Sequence, residues 1–298
     1  PALFNFFVSD YPTEAADILE SYADDFTAME SDADLASLDQ KLQDAVTPIV
    51  EWAIRKKLTI APSKSQVTLF TPWSKQYKTS PKVSIDGVDI PLNQYPKILG
   101  VTFDPQFTFR QHIVAIAAKC SQRLNLLKAV CGTTWGHDSK TLLITYKALV
   151  ETVMSYAAAI WFPNSKPTNI EKLQFIQNAA MRLITGCHKA ASIDHLLTET
   201  KMMPVAEHLS MLCAQFLANC LRPSHPSHEV VLQPPGPRTN PSGRPMKETL
   251  SSKFSNVVAP FLQDGIASDL TYKHTKDAIQ TTAVRDSISK LKPNPVLG

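Results

Sequence analysis

From Pro105 onward apolar residues recur every three or four positions, and that period most constrains what this chain can fold into. Ile113, Ile116, Cys120, Leu124, Leu127 and Cys131 form one stripe, and Leu142, Tyr146, Leu149, Val153, Ala157 and Ile160 form a second. A third runs through Leu173, Ile176, Ala180, Leu183 and Cys187, opened by a capping box at Thr168 and Glu171. A fourth joins Leu209, Leu212, Phe216 and Leu217. A helix with one apolar stripe must bury it, and successive helices do so against each other, so a small helical bundle is predicted. Packing alone explains the stripes, which therefore speak for a fold and not for a chemistry. Lys119, Arg123, Lys128, Lys140, Lys147, Lys172, Arg182, Lys189 and Lys201 lie between them. They read equally as a solvated face and as a groove that follows phosphates.

Upstream of Pro105 the pattern is mixed. Leu35, Leu38, Leu42, Ala45, Ile49, Trp52 and Ala53 predict a helix from Asp34 to Leu58, started by Ser31 and Asp34 and kinked or broken at Pro48. Leu3, Phe6 and Phe7 suit the core side of a short amphipathic helix. Val67 and Leu69 alternate as in a strand, and Asp86-Gly87 between apolar residues signals a hairpin. Ile18, Leu19, Tyr22, Phe26 and Met29 fit two more short strands, with Asp24 and Asp25 at the turn between them. Neighbours on a strand face opposite ways, so only a turn or its edge lets both carboxylates reach one small volume. Two anions that close repel unless a cation sits between them, and Mg²⁺ or Mn²⁺ are the hard ions that suit oxygen ligands and phosphates.

A chain of 298 residues, 44% of them hydrophobic, buries a core and suits about two domains. No stretch has the roughly 20 apolar residues of a membrane span, and no signal peptide opens the chain. Five cysteines, Cys120, Cys131, Cys187, Cys213 and Cys220, include no Cys-x-x-Cys and argue against a disulfide framework. They read as buried small hydrophobes, in preference to a zinc set of Cys213, Cys220, His225 and His228. The chain is therefore expected inside the cell, in nucleus or cytoplasm, and not secreted. A net charge of +3 does not by itself imply nucleic acid. Its distribution says more: acids crowd the first 51 positions and bases dominate from Arg55 to Lys128. That suits cations held at one place and phosphates at another. The start at Pro1 within an apolar run and the stop at Gly298 read as an internal piece of a longer polypeptide.

Tyr22-Ala23-Asp24-Asp25 resembles the Tyr/Phe-x-Asp-Asp signature of reverse transcriptases, in the form used by non-LTR (LINE-type) retrotransposons. Further matches follow in the family's order. Residues 1–10, with Pro1-Ala2-Leu3-Phe4-Asn5, resemble the segment after the template-handling Gln-Gly motif. Trp52 and the loop with Lys64 and Ser65 are similar to the motif in which a Trp-bearing helix leads into Asn-x-x-Lys-Thr, although Ala61-Pro62-Ser63 replaces the usual Asn. Leu99-Gly100-Val101 resembles the primer-grip hairpin. Tyr156, Trp161, Pro163, Gln174 and Gln177-Asn178-Ala179 resemble the region that follows the palm.

The resemblance implies an α+β fold: a partial polymerase palm over residues 1–104, built of β-hairpins with packing helices, and an all-α thumb-like bundle over 105–222. A Pro-rich linker would span 223–245 and a weakly structured segment 246–298, which is polar with two weak amphipathic runs. It implies RNA-directed DNA polymerase activity by two-metal nucleotidyl transfer, with Asp24 a direct ligand of Mg²⁺ or Mn²⁺ and Asp25 assisting. Lys64 would stabilise or protonate the departing pyrophosphate, and Tyr22, Leu99, Gly100 and Val101 would contact primer and template. The implied partners are an RNA template, a DNA primer and deoxynucleoside triphosphates. Upstream palm and fingers, with a further Asp, and an endonuclease domain would belong to the same polyprotein. The alternative is an inert nucleic-acid-binding or structural remnant of a decayed transposon.

Overall fold

A computed structural model of the chain describes residues 2–71, 73–76, 78–132, 136–232, 249–261 and 269–291. The fold is α+β, in two compact units, residues 1–106 and 107–298. No helix among the described residues is long and apolar enough to cross a membrane.

The first unit is organised on one long helix. Helix α1 (Ala2–Phe7) leads to the antiparallel strands β1 (Ile18–Tyr22) and β2 (Asp25–Met29), followed by α2 (Leu35–Arg55). Two small hairpins follow, β3 (Ser84–Ile85) with β4 (Val88–Asp89), and β5 (Lys97–Ile98) with β6 (Val101–Thr102). Asp34 caps α2 by accepting the Ser37 N–H at 3.0 Å, satisfying a donor the first turn leaves open. Ser31 takes no part in that cap, since its hydroxyl donates to Asp17. The helix buries Leu38, Ala45, Ile49, Trp52 and Ala53 as its period predicts, and it runs through Pro48 without the expected break. Leu42, Val46 and Val50 pack on a cluster of Val67, Val83, Ile85 and Ile90.

Two further expectations fail here. Leu3 and Phe6 are 86% and 81% exposed, because a six-residue helix has little length to seat and the anchoring passes to Val8, buried beside Trp52 and Ala53. The Val67–Leu69 run forms no extended strand, only a parallel bridge from Val67 to Leu92.

The second unit is built of helices, with one isolated antiparallel bridge between Cys131 and Gly136 among its described residues. It comprises α3 (Arg110–Ala129), α4 (Ser139–Tyr146), a wide π turn (Lys147–Glu151), α5 (Thr152–Ser155), α6 (Ala158–Trp161), α7 (Pro167–Thr185), α8 (Ile193–Thr200) and α9 (Val205–Cys220). Helices α10 (His228–Leu232), α11 (Leu250–Val258) and α12 (Asp269–Lys290) follow. The first stripe is buried from Ile113 to Leu127, with Cys131 beyond the helix end and half-buried. The second is displaced. After Tyr146 the buried residues are Val150, Met154, Ala158 and Trp161 rather than Leu149, Val153, Ala157 and Ile160, because the π turn inserts one residue per turn. Helix α7 starts with Pro167 in its first turn and Lys166 as its N-cap, so Thr168 lies inside the helix and no capping box forms. Phe216 is exposed and meets His225 edge-on, while Leu209, Cys213, Leu217 and Cys220 are among the residues α9 buries.

Polar as they are, α11 and α12 pack on α9 through Phe254, Val258 and Ile279. Pro234, Pro235, Pro237, Pro241 and Pro245 of the Pro-rich run lie outside the described residues. Cys120, Cys213 and Cys220 are buried and unbridged, and burial pushes the Cys120 thiol up to about 11 and Cys213 up to about 12.

Candidate active site

The β1–β2 register pairs Tyr22 with Asp25 and leaves Ala23-Asp24 as a two-residue turn. Asp24 therefore sits in the turn itself and Asp25 is the first residue of β2; both are exposed. Ala23 takes φ 55°, a left-handed conformation that costs a residue with a Cβ about 1–2 kcal/mol. Strain of this kind persists only where the surroundings over-determine it. By the register Leu19, Ser21, Phe26 and Ala28 share the inner face, while Glu20, Tyr22, Asp25, Met29 and the half-buried Thr27 share the outer one.

Phe26 carries the hairpin onto its support. Its ring meets Tyr11 edge-on at 5.7 Å and Trp52 at 5.6 Å. The Trp52 indole donates to Asp10 at 3.3 Å, and Lys56 approaches the same carboxylate oxygen at 2.9 Å. Lys56, and after it the indole N–H, hold the Asp10 carboxyl below its ordinary range. Neither Asp10 nor its link to Trp52 was legible in the sequence, where Trp52 reads as one more residue of a buried stripe.

Lys64 is exposed in a tight turn closed by its own N–H and that of Ser65 on the Ala61 carbonyl. Among the described residues no ion pair joins it to Asp24 or Asp25. The β5–β6 hairpin turns through Leu99 and Gly100 at φ 45° and 88°, both positive, as type I′ turns require. The β3–β4 hairpin turns the same way with Asp86 and Gly87. An Asp suits that left-handed position and a Leu does not, yet Leu99 stands there 51% exposed. Val101 is 2% exposed and belongs to the interior, so of the three residues singled out here Leu99 and the Gly100 backbone are the ones offered outward.

Several residues singled out downstream serve the scaffold. Trp161 is buried and donates to the Tyr156 carbonyl at 2.9 Å. Gln174 accepts the Val205 N–H at 2.8 Å and Gln177 donates to the Met203 carbonyl at 2.9 Å, fixing the start of α9 against α7. Among the bases, Arg123 and Arg182 donate to main-chain carbonyls, while Lys119, Lys140, Lys147, Lys189 and Lys201 are exposed.

Carboxylate oxygens are the donors Mg²⁺ or Mn²⁺ prefer, and two exposed ones on adjacent residues fit such an ion. Among the described residues no group of three or more His, Cys, Asp or Glu converges, so the pair is an incomplete ligand set.

The proteins this chain resembles are RNA-directed DNA polymerases of mobile elements, bearing out the resemblance to reverse transcriptases of non-LTR retrotransposons. It is 27% identical over 218 residues to the "Probable RNA-directed DNA polymerase from transposon BS" of Drosophila melanogaster, covering 70% of this chain and 24% of that protein. To the same organism's "Probable RNA-directed DNA polymerase from transposon X-element" it is 28% identical over 210 residues, covering 65% and 22%. To the polymerase from mobile element jockey of Drosophila funebris it is 23% identical over 194 residues, covering 62% and 21%. The chain thus spans about a quarter of the length of the curated relatives it matches. No family model and no solved structure matches it.

Proposed function

We propose that residues 1–298 are part of an RNA-directed DNA polymerase of a non-LTR retrotransposon, the first unit contributing to the palm and the second serving as a thumb. The observation that carries this reading is the strained turn that presents Asp24 and Asp25 side by side on a braced hairpin, in a chain whose relatives bear that activity by name. Divalent ions held by Asp24, with Asp25 assisting, would lower the pKa of a primer 3′-hydroxyl and neutralise the triphosphate. The remaining ligands would come from outside residues 1–298. Lys64 carries its ammonium on an exposed turn, free to give a proton to the departing pyrophosphate oxygen. Tyr22, on the outer face beside Asp25, and Leu99 with the Gly100 backbone would meet the primer–template duplex. RNA template, DNA primer and deoxynucleoside triphosphates are the substrates of this reading, and an endonuclease would accompany it in the same polyprotein.

The test is primer extension on an RNA template by the whole polypeptide that carries residues 1–298. Asp24→Asn should abolish extension while leaving primer–template affinity nearly intact. A wild-type protein that binds duplex without extending it would point instead to a nucleic-acid-binding remnant.

A further inference from the structure

We infer that Trp52, held by Asp10, is a positioning residue for the Asp24–Asp25 turn, an inference that rests on the polymerase reading above. Phe26 follows Asp25 directly and pairs across the hairpin with Ser21, so the orientation of its ring sets the base of the turn. That ring is seated on Trp52 edge to face, at 65° between planes, a geometry that the ring quadrupoles make directional. Turning the indole would tilt Phe26, and with it the two carboxylates.

Simple packing does not account for what surrounds the indole. Trp52 is 3% exposed, yet its N–H is aimed at a carboxylate 42 positions earlier, and Lys56, one turn further on at the end of α2, pairs with the same carboxylate oxygen. A Leu or Phe would fill the same space without either partner. The Asp10 oxygen fixes the rotation of the indole through a hydrogen bond to a charged acceptor, which is directional where apolar contact is not. Leu58 and Ile60, which open the loop leading to Lys64, pack in the same cluster as Phe26 and Trp52. One anchor therefore serves both the acidic turn and the lysine loop. Misplacement by about 1 Å is enough to cost a reaction up to about a hundredfold, so an anchor of this kind acts on turnover without touching substrate.

The experiment compares Asp10→Ala, Asp10→Asn and Trp52→Phe in the whole polypeptide by steady-state extension and by amide hydrogen exchange without metal. Asp10→Ala should lower kcat about tenfold at unchanged KM for primer–template, and speed exchange at Asp24–Phe26 about tenfold while Ala45–Ile49 keep their protection. Asp10→Asn, whose amide oxygen still accepts the indole N–H, should stay within about twofold of wild type, and Trp52→Phe should resemble Asp10→Ala. Unchanged exchange at the turn in Asp10→Ala overturns the inference. So does faster exchange spread evenly through α2, which marks loss of packing alone. If the wild type shows no Asp24-dependent extension, the polymerase reading fails by itself, and the exchange data still decide whether Asp10 and Trp52 position the turn.

Discussion

Arg123 donates from its guanidinium to the carbonyl of Leu149 at 2.6 Å, tying α3 to the π turn between α4 and α5. The Cys120 thiol lies 3.8 Å from the next carbonyl, that of Val150. A π turn loosens the regular ladder, and these two side chains from α3 take up carbonyls along it. Arg123→Leu should therefore destabilise the second unit by about 1.5–3 kcal/mol, the range for a hydrogen bond to a charged group. Urea unfolding measures this. Duplex affinity should fall more for Lys147→Ala, an exposed cation, than for Arg123→Leu; the reverse order would return Arg123 to a phosphate-tracking groove.

Leu99 occupies the first position of a turn that asks for Asn or Asp, at φ 45° and largely exposed. Leu99→Asn should raise stability by about 1 kcal/mol by relieving the left-handed strain. The same variant should weaken primer–template binding, because the apolar tip is lost. A protein both more stable and equally tight on duplex would mean that Leu99 has no role at the nucleic acid.

His208 gives the second unit a pH dependence of definite sign. Burial lowers its pKa below the ordinary 6.5, Lys147 pushes the same way, Glu151 opposes, and the Ser155 hydroxyl lies 3.0 Å from its Nε2. The unfolded chain then takes up a proton near pH 6.5 that the folded chain refuses, so stability rises with pH through that window and is lost on acidification. Well above pH 6.5 both states are neutral at this residue and it contributes no slope. Urea midpoints measured between about pH 5 and 7 should rise with pH in the wild type and flatten in His208→Asn. A slope that survives the substitution assigns it to other groups.

Lys64→Ala should slow single-turnover incorporation by about 10²–10⁴, the range for loss of a general acid, with duplex affinity little changed. An unchanged rate would leave Lys64 a solvated lysine on its Ala61 turn.

What the sequence revealed, and what it hid, follows from how local each signal is. The stripe of α2 was legible because its period is set by the helix itself, and Asp86-Gly87 because a two-residue hairpin needs such a turn, whereas the hairpin at Leu99-Gly100 was expected only from the family resemblance, since Leu is no turn signal. The displacement from Leu149 to Val150 was not, since a π turn leaves the composition unchanged and depends on partners on α3. Leu3 and Phe6 were misassigned because an apolar period predicts a face and not what covers it. At the site, the acidic turn announced itself in Tyr22-Ala23-Asp24-Asp25, whereas the Asp10–Trp52 link joins residues 42 positions apart and carries no motif.

If the Asp24 carboxylate holds a divalent metal during nucleotide addition, a change of ligand softness at that position must change which ion supports extension. Asp24→Cys replaces a hard oxygen by a thiolate, which favours softer ions over Mg²⁺. Extension by the whole polypeptide should vanish in Mg²⁺ and return in part when Cd²⁺ or Mn²⁺ is supplied, while Asp24→Ala stays inactive with every ion. Activity retained by Asp24→Cys in Mg²⁺, or rescue of Asp24→Ala as strong as that of Asp24→Cys, contradicts the account.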